Sequence, residues 1–413
     1  MNKKLSKQLN TTNKGDNKEP KPVFFDLSSK EDQDNLSQLL EENPLINVID
    51  TYNTQLEELF VLDNPWLNLN PPQKEKEFMK HREEHYGKRE AWEAGVWVYL
   101  PWRHSLLHIL EDNGFQQVRT GRNRNLITKE EQEIYYNSTI GIAGLSVGNS
   151  CALSIVQTGG GKNFRLADPD TLELTNLNRI RSSIAELTEY KVYMSARQIY
   201  ELDPYAKLTL YTEGVTEENI DEFTDGLDVA IDEMDNLSLK IRLRQEAQKK
   251  GIPVVMATDN GDSGVIDIER YDLDKDIKPF HGKAGDDIAE RVLGKDIPLP
   301  VLGKIIGEEL LGYDIIEPRM QRSLLEIGKT LPTWPQLGGA ALLNGVVVAA
   351  AVRKILTKQP VIDSRAVLSL SSWIIPGYDG PEATAERKAL TEEFAKEYEA
   401  NIQAFLDHMG GKE

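Results

Sequence analysis

A chain of 413 residues, 39% of them hydrophobic, is long enough for one large globular domain with appendages or for two to three ordinary ones. Its net charge of −19 argues against broad binding to nucleic acid or to an anionic membrane, whose phosphates attract basic surfaces. A single cysteine, Cys151, excludes an intrachain disulfide and any zinc site built from paired CxxC motifs.

Residues 1–22 are polar, rich in Lys, Asn and Asp, and read as a disordered tail without the apolar stretch of a secretory signal. Residues 23–124 mix short apolar patches with aromatics. Trp92, Trp97, Tyr99 and Trp102 lie close together in sequence, and the expectation is a small helical layer with an aromatic core rather than a ligand cage. HREEH, His81 to His85, matches a zinc-peptidase pattern. It lies in the strongly charged KEKEFMKHREEHYGKRE, reads as a solvated helix, and has no identifiable third ligand. His104 and His108 sit among Trp and Leu and read as packing residues.

From Ser138 the pattern becomes regular. STIGIA, FRLA, LTLY, LDVAIDE and PVVMAT read as strands, separated by segments of helical composition such as TEYKVYMSARQIYELD and SLKIRLRQEAQKKG. Strands alternating with helices predict a mostly parallel sheet flanked by helices. After Thr258 the alternation breaks. SGVIDIERYDL has the two-residue period of an antiparallel strand, residues 281–333 read as charged helix, and PQLGGAALLNGVVVAAAVRKIL reads as a buried helix. AVLSLSSWII reads as a late strand, and Pro381 to His408 as an amphipathic helix. The fold class is thus α/β. A Rossmann-like sheet over 125–270 is expected between a small N-terminal helical region (23–124) and an antiparallel and helical C-terminal part (271–413) on the substrate side. The apolar run at 338–352 contains Asn344 and is too short to span a bilayer comfortably, so no membrane association and a cytoplasmic location are expected.

IAGLSVGNS, Ile142 to Ser150, places Gly144 and Gly148 between a strand and a helix. Glycines there let the backbone approach phosphates, and helix N-terminal amides favour anions. Asp168 follows Gly148 by twenty residues, at the end of the next strand, where an acid can accept hydrogen bonds from ribose hydroxyls. That order points to a nucleotide without saying which. Asn176 and Arg179 follow in DPDTLELTNLNRI, and Lys191 comes twelve residues after Arg179. Converging cations suit a triphosphate and are not needed for hydride transfer. DEMDN then puts Asp232, Glu233 and Asp235 at a strand end, where a carboxylate can hold Mg²⁺ bridging phosphate oxygens. Cys151 opens the helix CALSIV and reads as packed core rather than a reactive thiol.

Over about Arg119 to Arg270, the motifs GLSVG, LADPDTLELTNLNR, Lys191 and IDEMDN together resemble the ThiF-type adenylyltransferase superfamily, which includes ubiquitin-activating enzymes. The resemblance is nearest to a subgroup sometimes fused to a nitroreductase-like domain. It implies an ATP- and Mg²⁺-dependent enzyme in which a substrate carboxylate attacks the α-phosphate to give an acyl-adenylate and pyrophosphate. The carboxylate would be that of a peptide or a ubiquitin-like protein. By motif, Gly144, Ser146 and Gly148 would form the phosphate turn. Asp168, with Asp170 beside it, would hold the ribose; Asn176, Arg179 and Lys191 would hold the phosphates; and Asp235 would bind the metal. Arg122 in RTGRN, with Arg124 nearby, resembles the arginine that relatives supply to the partner subunit's ATP, which implies a homodimer.

The chain departs from the pattern in three ways. Ser146 stands where a glycine is usual, paired CxxC motifs are absent, and no cysteine follows Cys151, which excludes a crossover-loop thioester. An NAD(P)-dependent oxidoreductase and a catalytically silent nucleotide-binding scaffold are the alternative readings.

Overall fold

The computed structural model describes residues 18–410 apart from 284 and 296, so most of the expected N-terminal tail lies outside the described residues. The described chain forms two compact units, one from residues 18–136, 156–162 and 196–207, the other from 137–155, 163–195 and 208–410. Residues 125–136 belong to the first unit and residues 271–410 to the second.

In the first unit, β1 (Val23–Phe25), β2 (Asn47–Asp50), β3 (Val96–Leu100) and β4 (Ser105–Ile109) form a sheet in the order β1-β3-β4-β2. Helices α1 (Lys30–Glu42), α2 (Tyr52–Asp63), α3 (Pro71–Tyr86), α4 (Asp112–Arg119) and α5 (Lys129–Asn137) complete it. The expectation of a helical layer for 23–124 is corrected here. VWVYL and SLLHI are antiparallel strands folded about Pro101–Arg103, with His104 in the left-handed region at φ 47°. Trp97 and Tyr99 are two apart, so they share a face and pack with Phe25, Leu36 and Leu106. Aromatic and β-branched residues at that spacing favour a pleated, half-buried surface. His108 is buried between the rings of Trp97 and Tyr52, at 4.3 and 4.5 Å between centroids. His85 on α3 hydrogen-bonds the Tyr52 hydroxyl at 2.9 Å, and His81 lies against Phe60, so both histidines of HREEH are engaged in packing.

In the second unit a seven-stranded sheet runs β11-β10-β9-β8-β5-β6-β7. Its members are β5 (Thr139–Ala143), β6 (Asn163–Ala167), β7 (Lys207–Tyr211), β8 (Val229–Asp232), β9 (Val254–Asn260), β10 (Ser263–Glu269) and β11 (Arg365–Leu368). β5 pairs in parallel with β6 on one side and β8 on the other, and β8 pairs in parallel with β9. β10 pairs antiparallel with β9 and with β11, as expected for SGVIDIE, and is buried along its whole length. Ile140, Ile142, Leu166, Val229, Ile231 and Val254 are fully buried, which suits strands covered on both faces. The cover comes from α6 (Val147–Gln157), α7 (Lys191–Leu202), α8 (Ile220–Thr224), α9 (Leu237–Lys250) and, after α10 (Ile288–Val292), α11 (Leu299–Lys304) and α12 (Pro318–Leu324), from α13 (Gly338–Leu356). Helix α13 is long and apolar enough to cross a membrane, but half of it is buried within the protein. It can lie close because of glycine: a Cβ on Gly345 would stand 2.6 Å from Ser150.

The late strand is shorter than expected. It ends at Leu368, and Ser369 caps the short helix α14 (Leu370–Ile374) by accepting from Ser372 N–H at 3.1 Å. The run SLSS supplies a capping hydroxyl where a strand would need apolar alternation. Helix α15 (Pro381–Gly410) closes the chain, with Phe394 packed on Leu311, Ile316, Met320 and Leu324.

Candidate functional site

Strand order reverses at β5, since β6 lies on one side and β8 on the other; in open α/β sheets the crevice outside the strand ends at such a point is where ligands bind. The turn after β5 is the GLSVG segment. Gly144 has φ +88°, and a Cβ there would meet the Glu233 carbonyl oxygen at 2.3 Å, so only glycine fits. Gly148 is close-packed as well, with its Cβ position 2.9 Å from Ile142. Leu145 N–H donates to Asp168 Oδ2 at 2.6 Å, which ties this turn to the end of β6.

Asp168 is buried, and burial pushes its carboxyl above the usual range against the pull of Lys191 and the N–H groups of Leu145 and Asp170. Lys191, at the start of α7, is buried between two acids, with its Nζ 2.7 Å from Asp170 Oδ2 and 3.8 Å from Asp168 Oδ1. Asn176 is buried in the short helical turn Leu174–Asn178, where its Oδ1 accepts from Glu173 N–H at 3.0 Å. The same turn presents Arg179, half-buried, whose Nε donates to Ser146 Oγ at 2.9 Å. Ser146, the residue that breaks the glycine pattern, therefore faces the arginine of NLNR.

The three acids of DEMDN have separate environments. Asp232 is buried and paired with Arg244 and with Lys240, the latter at 3.2 Å. Glu233 points inward, accepts from Ala257 N–H at 2.9 Å, and has its carboxyl pushed well up by burial. Asp235 is exposed, immediately before Asn236, which caps α9 by accepting from Leu239 N–H at 3.1 Å. Among the described residues no three His, Cys, Asp or Glu side chains converge to hold a metal by themselves. Mg²⁺ commonly takes one or two carboxylates plus substrate phosphates and water, and Asp235 fits that partial ligand set.

The structure thus brings Gly144, Ser146, Gly148, Asp168, Asp170, Arg179 and Lys191 together around this turn, with Asn176 buried in the short helical turn that precedes Arg179. Arg122 lies exposed in the other unit, and neighbouring Arg124 donates to Leu62 O at 2.8 Å. Cys151 is buried, and burial raises its thiol far above the ordinary value, as a core cysteine requires. Sequence reading missed Asp259. It is buried at the end of β9, accepts from Asn344 at 2.7 Å and Gln336 at 3.1 Å, and lies within electrostatic reach of Arg179. The available signal was its place after VVMAT, at the same edge as the other acids.

The chain is 41% identical over 283 residues to an uncharacterised protein, MT1398, of Mycobacterium tuberculosis (strain CDC 1551 / Oshkosh), covering 68% of this chain and 38% of that protein. It is 31% identical over 163 residues to a tRNA threonylcarbamoyladenosine dehydratase of Bacillus subtilis (strain 168), covering 39% of this chain and 63% of that one. It therefore spans less than two thirds of the length of either relative. Among solved structures, a selenomethionine crystal structure of PaaA superposes with a TM-score of 0.44 at 19% identity, covering 62% of this chain and 77% of that one. Residues 120–268, the stretch that carries the turn, the cations and most of the acids described above, match the model of the ThiF family.

Proposed function

We propose that the chain is an ATP- and Mg²⁺-dependent adenylyltransferase that activates a substrate carboxylate. One observation carries this reading: the glycine turn, a strand-end acid and two cations from separate segments are linked by contacts at the point where strand order reverses. Asp168 accepts from the ribose. Arg179 and Lys191 neutralise phosphate oxygens, and the turn lets the backbone approach them. Asp235 holds the metal, which when bound supplies charge neutralisation on the phosphates. A carboxylate oxygen attacks the α-phosphorus, the bond to the β-bridging oxygen breaks, and pyrophosphate leaves with that electron pair. The chain's own contribution is positioning and electrostatic stabilisation of the charge that develops.

The substrate carboxylate belongs to a peptide or a small protein in this proposal, and the adenylate passes directly to its acceptor, since Cys151 is the chain's only thiol and is buried. The net charge of −19 disfavours a large tRNA contact surface. A homodimer located in the cytoplasm, with Arg122 serving the neighbouring copy, completes the proposal.

Calorimetric titration with ATP and NAD, each with and without Mg²⁺, tests it. Mg²⁺-dependent ATP binding that weakens in Lys191→Ala supports the reading. Preference for NAD supports an oxidoreductase, and ATP binding with no carboxylate-dependent pyrophosphate release supports a silent scaffold.

A further inference from the structure

An arginine side chain carries five N–H donors. For Arg179, Nε is taken by Ser146 Oγ at 2.9 Å, and Nη1 by Asn178 Oδ1 at 3.0 Å and Thr175 O at 3.3 Å. Nη2 has no partner among the described residues, and it belongs to a guanidinium fixed from two sides by its own turn and by the strand-to-helix loop. The Ser146 oxygen accepts from Nε, which leaves its O–H proton directed elsewhere. Neither side chain is needed to fill the core, as both are only half-buried. Nearby, Asp235 and Asp259 act on Arg179 through space without contacting it.

We infer that Ser146 and Arg179 form a composite phosphate-binding pair, in which the serine hydroxyl both fixes the guanidinium and donates to the same phosphoryl group that Nη2 meets. The serine thus replaces the close backbone approach that a third glycine would give with a charge-assisted side-chain contact. The ligand class is a polyphosphate, free or as part of a nucleotide. The pair rests on the nucleotide reading above for its biological ligand, but not for its geometry. Ser146 is a positioning residue for Arg179 as well as a contact in its own right. An alanine at 146 frees rotation about the guanidinium and removes one donor. A threonine keeps both roles, and a glycine restores the usual turn while losing both.

Two readouts test this. The Arg179 Nε–H signal, assigned in the ligand-free protein by its loss in Arg179→Lys, should exchange slowly in the wild type and in Ser146→Thr, and rapidly in Ser146→Ala. Calorimetry with inorganic tripolyphosphate and with ATP should show Ser146→Ala weakened about tenfold, the usual effect of one hydrogen bond to a charged group. Ser146→Thr should be close to wild type. Ser146→Ala added to Arg179→Ala should cost less than it does in the wild type, because only the serine's own contact is then left to lose. Wild type that binds tripolyphosphate but not ATP would overturn the adenylation reading and leave the pair standing. Fast exchange of the Arg179 signal in the wild type, unchanged tripolyphosphate affinity in Ser146→Ala, or additive losses in the double variant would each overturn the pair.

Discussion

Lys191 Nζ lies 2.7 Å from Asp170 Oδ2, and this contact closes the ammonium off from solvent while Asp170 itself stays largely exposed. A phosphate that approaches Lys191 must share it with Asp170 or displace it. Asp170→Asn should therefore tighten ATP binding several-fold, and Lys191→Ala should weaken it by about ten- to a hundredfold, since a desolvated charge-assisted contact is lost. Isothermal titration measures both. Weaker binding in Asp170→Asn would place Asp170 on the nucleotide itself.

Asp235 is exposed. Asp235→Asn should abolish Mg²⁺-dependent pyrophosphate exchange and change the unfolding free energy from urea titration by no more than about 0.5 kcal/mol, as surface changes do. Normal turnover in that variant would remove the metal role from Asp235.

The Asp232–Arg244–Glu269 network has the opposite character. All three side chains are fully buried, Arg244 Nε stands 2.7 Å from Glu269 Oε2, and its guanidinium lies 3.9 Å from the centre of the Phe280 ring. Arg244→Met would strand two buried carboxylates and should cost about 3–5 kcal/mol of unfolding free energy. Because Asp232 opens the DEMDN loop, the variant should also lose activity at temperatures where it is still folded. A loss of stability alone would separate the network from the site.

Asp267 is held at a pKa of about 2. Burial pushes it up, but the hydrogen bond to His281 and the ion pair with Arg365 more than offset that. His281 is raised above its ordinary 6.5, first by the hydrogen bond to Asp267. The signs differ. The aspartate's contribution to stability is present above the unfolded value of 3.8 and is lost as pH falls toward about 2. The histidine's contribution is complete below 6.5 and is lost as pH rises through its folded value. Stability from this pair should thus peak between those limits, and His281→Gln should flatten the decline above neutrality in urea titrations run from about pH 6 to 9.

If Arg122 serves a neighbouring copy, inactive Arg122→Ala and inactive Asp235→Asn proteins should regain activity when mixed, because one of the two sites in a mixed dimer has both residues intact. The absence of rescue after co-refolding would confine Arg122 to its own chain.

The parallel sheet was legible because buried strands write themselves as short apolar runs, as in TIGIA and NFRLA, and because Gly144, Asp168 and Asp235 sit at strand ends. The N-terminal sheet was not, since VWVYL and SLLHI are separated only by a Pro-containing turn and their aromatics fit helix or strand equally well over five residues. The partners of the acids were also hidden. Asp232 and Asp235 are three apart in sequence, but only the fold brings Arg244 and Lys240 to the first and leaves the second in solvent. Ser146 registered as a departure from a pattern, and only its contact with Arg179 gives it a role.

The buried Cys151 has a practical consequence. A thiol that is both enclosed and hard to ionise will not react with maleimides or iodoacetamides while the fold holds, so the unmodified protein is silent to labelling. A cysteine introduced at exposed Leu174, in the turn that carries Arg179, would then be the single attachment point for a fluorophore. Its emission would report the arrival of a nucleotide in real time, with no coupled assay and whatever the acyl substrate proves to be.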